Sequence, residues 1–100
     1  MGRALSNDEK DDLRGGCAFC RHDQVYIGPQ AGMAINVYCV TCLAGYNVSH
    51  SQLPWQLIAE PGERTLEDLV PIVSRVVMLP QFLENLDRAI ETSIRNARDS

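Results

Sequence analysis

Four cysteines are the residues of this sequence whose type and spacing best suit a chemical role. They form two Cys-x-x-Cys pairs separated by eighteen residues, and the 100-residue chain has no other cysteine. Two thiolates three residues apart can bind one metal ion from a tight turn, and a second turn alongside supplies two more ligands. The spacing therefore predicts a tetrahedral site for a structural Zn²⁺, with four ligands: Cys17, Cys20, Cys39 and Cys42.

Other chemistries for the cysteines stay open at this point. A redox dithiol usually needs one such pair at the start of a helix, disulfides need an oxidising compartment, and an iron–sulfur centre would use the same four ligands. His22 could replace a ligand or bond to a sulfur, although it is interpreted, like His50, as a surface residue. Four thiolates leave zinc no open position for substrate, and no other catalytic constellation is visible, so we expect no enzymatic activity.

The elements that must position the cysteines are a β-hairpin and its flanking helices. Residues 24–27 and 33–38 have strand patterns around a glycine- and proline-containing turn at 28–32, with a short third strand at 46–48. Ser6 and Glu9 predict a capping box for a helix over 7–14, which Gly15 and Gly16 end.

The second half of the chain has helical spacing of its apolar residues. Thr65 offers an N-cap, and apolar residues then recur at helical intervals up to residue 77. Pro80 marks a boundary before a second helix over about residues 81–97. The apolar stripe of that helix fits either the core of a monomer or the seam of a homodimer, and it consists of Phe82, Leu86, Ile90 and Ile94.

These elements predict an α+β fold: a small zinc-ribbon β-hairpin with a short N-terminal helix and two C-terminal amphipathic helices. The length indicates a single domain over residues 1–100, with the ribbon at 15–50 and a helical half at 65–98. A core this small is modest, so zinc binding would contribute much of the folding free energy.

Composition limits the classes of partner. The formal net charge is −4, and four thiolates with one Zn²⁺ would take it to −6. Residues 15–50 carry only Arg21 and Asp23 as charged side chains, which is a poor basis for binding phosphates. No apolar run is long enough to span a membrane and the N-terminus lacks a signal-peptide pattern, so we expect a cytoplasmic protein.

Two short stretches resemble the knuckles of small zinc ribbons: Cys17-Ala18-Phe19-Cys20 and Val37 to Cys42. The segment 17–46 is similar to phage restriction-alleviation proteins of the Lar type, and this resemblance implies a phage or mobile-element origin. Ala18 stands where such knuckles usually have proline. Arg21 and Leu43 stand where glycine usually permits a positive φ, which predicts an altered knuckle geometry.

The predicted function is a small zinc-binding protein-interaction module that regulates or inhibits a larger partner protein. An acidic chain suits a basic partner surface, and the amphipathic helices and apolar ribbon offer contact area. The alternative is a nucleic-acid-binding zinc ribbon, such as a transcription or DNA-transaction factor, whose tyrosines would stack on bases. The candidate partner-binding residues are the aromatic residues Tyr26, Tyr38, Tyr46 and Trp55.

Overall fold

The fold is described from a computed structural model, which covers residues 3–31, 34–49 and 55–86. A helix over residues 79–86, here α3, reaches the end of the described part. Within that part, no helix is long and apolar enough to cross a bilayer. The elements that precede α3 are β1 (Arg3–Ala4), α1 (Asn7–Gly15), β2 (Gln24–Ala31), β3 (Ala34–Cys39), β4 (Gly45–Ser49), β5 (Gln56–Ala59), α2 (Leu66–Leu69) and β6 (Arg75–Met78).

The described strands form one antiparallel sheet in the order β1-β5-β4-β3-β2-β6. The predicted hairpin is confirmed as β2 and β3, with Val25 opposite Cys39, and the predicted third strand is β4. Gly28 and Pro29, predicted in the turn, lie inside β2 beside a register shift. Gln30 and Ala31 of the predicted turn lie in β2 as well, and residue 32 of that turn and residue 33, the first of the predicted second strand, fall outside the described residues.

The N-terminal helix is confirmed in position and in its start signal. The Ser6 side chain accepts the backbone N–H of Glu9, and the Glu9 carboxylate accepts the backbone N–H of Ser6. Gly16 follows the helix with a φ of 144°, and an added Cβ there would lie 2.9 Å from the Arg21 carbonyl oxygen. Glycine is therefore needed where α1 leads into the first cysteine pair.

The predicted α+β class, a hairpin with two C-terminal amphipathic helices, is wrong. The sheet has six strands, and the first of those helices is replaced by the four-residue α2 and strand β6. The Thr65 cap is confirmed, but Pro71 cannot extend the helical hydrogen-bond ladder, and the β-branched run that follows suits a strand. The second predicted helix begins earlier, at residue 79, and residues beyond 86 are outside the described part.

The two faces of the sheet are covered by different parts of the chain. On one face, α1 and α3 supply Leu13 and Leu83 to the main core, together with buried strand residues such as Val25 and Val37. The connection between β5 and β6 must pass β4, β3 and β2, because β5 and β6 lie near opposite ends of the sheet. This connection contains the fully buried Leu69, which lies outside the main core cluster. Leu69 is thus buried apart from the core to which α1 and α3 contribute.

Tyr38 fills a slot between two glycines on neighbouring strands. A Cβ added to Gly28 on β2 would lie 2.7 Å from the Tyr38 ring, and one added to Gly45 on β4 would also lie 2.7 Å from it. The ring is 2% exposed. The absence of two side chains lets an aromatic ring lie flat across three strands, and this explains why β2 and β4 carry glycine at these positions.

We expect Gly45→Ala to lower the free energy of unfolding by about 1–3 kcal/mol, the usual cost of overpacking a filled core. Gly15→Ala is the matched control, because nothing lies within 4 Å of a Cβ added there. Thermal unfolding of both variants measures the difference. In a Tyr38→Leu background, Gly45→Ala should lower the free energy of unfolding much less. An undiminished loss there would contradict the packing of the Tyr38 ring against Gly45.

Candidate metal centre

The two Cys-x-x-Cys turns have the same backbone geometry. In the first, the N–H of Arg21 donates to the Cys17 carbonyl at 2.9 Å, and in the second the N–H of Leu43 donates to the Cys39 carbonyl at 3.0 Å. Arg21 has a φ of 67° and Leu43 a φ of 62°. Each turn, here called a knuckle, therefore ends in a left-handed residue directly after its second cysteine.

This geometry corrects the prediction that the missing glycines alter the knuckles. Arg21 and Leu43 adopt the positive φ that glycine would take cheaply, at a cost of about 1–2 kcal/mol each. The hydrogen bonds and packing around both turns hold them in that conformation. Local strain of this kind persists only where the surrounding structure determines it.

Strand pairing brings the knuckles together. The first knuckle leads into β2, and its Cys17 N–H donates to the His22 carbonyl at 2.7 Å. The second knuckle leaves β3, and the Val40 N–H donates to the Gln24 carbonyl at 3.3 Å. Because β2 and β3 are antiparallel, the start of one and the end of the other lie side by side.

The structure brings all four predicted ligands into one cluster, with their Sγ atoms within 4.8 Å of one another. Two contacts cross between the knuckles: 3.5 Å from Cys17 to Cys42 and 3.4 Å from Cys20 to Cys39. All four are free thiols, too far apart for disulfide bonds. Tetrahedral zinc with Zn–S distances of about 2.3 Å needs sulfurs about 3.8 Å apart, so the cluster fits a Cys₄ metal ion.

The cluster is embedded unevenly in the protein. Cys17 and Cys39 are fully buried in the main core, Cys42 is half-buried, and Cys20 is exposed. A closed, mostly dry set of four sulfurs suits a structural metal ion, because no position is kept for a substrate.

Tyr46 belongs to this centre, although the sequence predicted it as a partner-binding residue. Its ring is fully buried, and its hydroxyl lies 3.4 Å from the Cys17 sulfur. The same hydroxyl accepts the backbone N–H of Ala18 at 3.3 Å, which leaves its own proton available for the sulfur. The pattern of β4 gives no sequence signal for this role, because the contact depends on how β4 is placed beside the first knuckle.

The acidities of the thiols reflect this packing. Burial raises the pKa of the Cys17 thiol, but hydrogen bonds from the Tyr46 hydroxyl and from backbone N–H groups outweigh it and lower the pKa to about 7. Burial raises the pKa of Cys42 and of Cys39, and the charge on Cys17 raises both further. A divalent cation would offset the repulsion between the thiolates and lower the pKa of each thiol, because it stabilises all four thiolates at once.

The other three predicted partner-binding residues differ in how deeply they are buried. Tyr38 is buried in its glycine slot, and Trp55 is 4% exposed. The Trp55 indole N–H donates to the Ser49 carbonyl at 3.0 Å, and Lys10 lies over its ring. Tyr26 is half-buried on β2. Buried rings have no free face for a partner, so among these residues Tyr26 alone keeps that role as a prediction.

His22, which could have replaced a cysteine ligand, lies outside the sulfur cluster. Among the described residues, the metal-capable cluster contains the four cysteines and not His22, which is half-buried. His50 falls outside the described residues.

Two residues of the predicted dimer stripe lie in the described part: Leu86 belongs to the monomer core and Phe82 packs against it. Residues 90 and 94 lie beyond the described part, so the homodimer seam remains a prediction.

Comparison of the chain with protein-family models, with curated proteins and with solved structures gives no match. The resemblance to Lar-type proteins therefore remains a prediction. The metal centre is assigned on its own geometry.

We expect Tyr46→Phe to weaken zinc binding about 10–100-fold, as loss of a hydrogen bond to a metal ligand commonly does. Competition with a chelator of known affinity measures the change. Tyr26→Phe removes the same hydroxyl from a tyrosine outside the cluster and should leave zinc affinity unchanged. Equal affinities for the two variants would contradict the role assigned to the Tyr46 hydroxyl.

We expect Arg21→Gly to be more stable than Arg21→Ala by about 1 kcal/mol, because glycine adopts a positive φ without a Cβ penalty. Both variants lose the long, exposed Arg21–Asp12 ion pair of 3.7 Å. The difference between their free energies of unfolding therefore reports the cost of the positive φ at residue 21. Denaturant unfolding measures it. At the exposed helical position Asp11 the order should reverse, with alanine the more stable; the same order at both positions would show that φ is not the cause.

Proposed function

We propose that this protein is a small zinc-binding module that binds another protein and regulates or inhibits it. The four-cysteine cluster carries the zinc assignment. Zinc suits four thiolate ligands in tetrahedral geometry better than hard, oxygen-seeking cations do. Four protein ligands leave the zinc ion no open coordination position for a substrate. The module therefore acts by contact with a partner and not by catalysis.

Exposed apolar side chains support an interaction role. Five of them fall between residues 66 and 78, and we call this set the 66–78 apolar surface: Leu66, Val70, Ile72, Val76 and Met78. Val76 is 48% and Val70 62% exposed. Several exposed large apolar side chains within thirteen residues of sequence favour a contact site for another protein, because exposed apolar patches commonly mark such sites.

Part of this surface lies on strand β6, which is also an edge of the described sheet. In the described sheet β6 is the last strand, paired on one side with β2. Val77 packs against the main core, so its neighbours Val76 and Met78 point to the opposite face, and both are exposed. A sheet edge with exposed apolar residues can accept an added strand or an apolar partner surface.

The charge of the chain favours a basic partner. The net charge is −4, and a zinc ion on four thiolates would make it −6. A surface that has evolved to bind nucleic acid is a partner of suitable charge, and its occlusion would inhibit that partner. A phage or mobile-element origin fits such a role and rests on the Lar-type resemblance of the sequence alone.

We expect Val76→Glu to abolish capture of a partner, because it replaces an exposed apolar side chain of the 66–78 apolar surface by a charge. Gln56→Glu is the matched control: it adds the same charge at an exposed position on β5, away from β6. The zinc-loaded wild type and both variants serve as bait in a lysate, with and without nuclease treatment, and retained proteins are quantified by mass spectrometry.

A protein retained in stoichiometric amount by the wild type and by Gln56→Glu, but not by Val76→Glu, would support the proposal. Retention that disappears with nuclease would instead favour nucleic-acid binding. Equal retention by all three baits would show that the 66–78 apolar surface is not the binding site.

A further inference from the structure

One corner of the sulfur cluster faces solvent. Cys17 and Cys39 are fully buried and Cys42 is half-buried, whereas Cys20 is exposed. Its neighbours in the knuckle, Phe19 and Arg21, are exposed as well. A small oxidant that approaches the cluster therefore meets the Cys20 sulfur first.

The sulfurs of Cys17, Cys39 and Cys42 accept hydrogen bonds from donors in the centre. The Tyr46 hydroxyl and the backbone N–H groups of Phe19 and Cys20 serve Cys17. Backbone N–H groups of the second knuckle serve Cys39, and the N–H of Ala44 serves Cys42. Donors that share the charge of a thiolate reduce its reactivity toward electrophiles, as does burial.

The cluster also brings each sulfur close to a partner in the other knuckle. Cys20 lies 3.4 Å from Cys39 and Cys17 lies 3.5 Å from Cys42. A disulfide bond of about 2.05 Å therefore needs a sulfur displacement of only about 1.4 Å across either contact. Both bonds would link the knuckles, which strand pairing already holds side by side.

We propose that this centre is a peroxide-sensitive thiol switch, in which Cys20 is oxidised first and cross-knuckle disulfides then replace the metal. The inference rests on the proposed zinc site. Its products are the Cys20–Cys39 and Cys17–Cys42 disulfides.

Each disulfide consumes one hydrogen peroxide and two protons and yields two waters. The Cys20 thiolate attacks a peroxide oxygen, the O–O bond breaks, and the hydroxide that leaves takes up a proton, so that a sulfenic acid remains on Cys20. The Cys39 thiolate then attacks that sulfur: the S–S bond forms, the S–O bond breaks, and the second hydroxide becomes water. Cys17 and Cys42 react in the same way, and the ion loses its ligands.

Oxidation would change the charge of the protein without separating the knuckles. The formal charge would return from −6 with zinc to the −4 of the chain alone. The pairing of Val25 with Cys39 can persist, because both new bonds link segments that β2 and β3 hold together. The switch thus reduces the negative charge of the module while the pairing of β2 with β3 stays in place.

The experiment starts from the zinc-loaded full chain, whose metal content is measured beforehand by mass spectrometry. Less than one equivalent of hydrogen peroxide is added with dimedone, which traps sulfenic acids, and tandem mass spectrometry locates the adduct. We expect about tenfold more adduct on Cys20 than on any other cysteine, because oxidation follows the exposure of the thiolate. Most adduct on another cysteine would overturn the inference.

Excess peroxide without dimedone tests the disulfide pattern. Cleavage at Arg14, Arg21 and Arg64 places the first cysteine pair in peptide 15–21 and the second in peptide 22–64. Cross-knuckle disulfides keep these peptides covalently joined, and fragmentation after a further cut at Phe19 assigns the partners. Separate peptides, each with an internal disulfide, would overturn the inference.

Two serine variants test the order of oxidation by a second measurement. Cys20→Ser and Cys42→Ser each leave three thiolates, but Cys42→Ser alone keeps the exposed sulfur. Zinc release by peroxide, followed with a chromogenic chelator, should be about tenfold slower in Cys20→Ser, and equal rates would contradict the switch. If the wild type binds no zinc, the proposed zinc site fails and this inference fails with it; if zinc is bound but the adduct or the disulfide pattern differs from that expected, this inference alone fails.

Discussion

Four cysteine sulfurs within 4.8 Å of one another can all be thiolates only if a cation balances their charge, and this constraint bears on the core that surrounds them. Cys17 and Cys39 belong to the same core cluster as Leu13 of α1 and Leu83 of α3. A metal ion bound by these sulfurs would tie both helices to the sheet at one point. For a chain of 100 residues, such a tie would add to the stability of a small apolar core.

Two buried tyrosines show how closely the sheet is fitted to this centre. Tyr46 reaches from β4 to the first knuckle and contacts both the Cys17 sulfur and the Ala18 N–H. Tyr38, next to Cys39, lies across β2 and β4 in a slot formed by two glycines. Both rings act within the fold, so the aromatic residues that look most suited to stacking on a ligand serve the packing of the sheet and the metal centre.

Local signals in the sequence predicted the parts of the structure that depend on neighbouring residues. The capping box at Ser6, the N-cap at Thr65, the hairpin and the convergence of the cysteines all follow from short-range chemistry. The segment after Thr65 was misassigned because apolar residues at helical spacing can equally form a short helix and a strand when Pro71 separates them. The positions of β1, β5 and β6 in the sheet, and the contact of Tyr46 with Cys17, depend on long-range pairing that one sequence does not reveal.

The proposed function combines an internal metal centre with the 66–78 apolar surface of α2, β6 and the turn between them. Its first requirement is that the metal is zinc and that it holds the fold. The most direct measurement is native mass spectrometry of the purified chain with and without a strong chelator, together with hydrogen exchange of both forms. The account predicts one zinc per chain, and loss of protection in both knuckles and along β2 and β3 when the zinc is removed. A chain that carries no zinc, or one whose exchange pattern is unchanged after zinc removal, would contradict it.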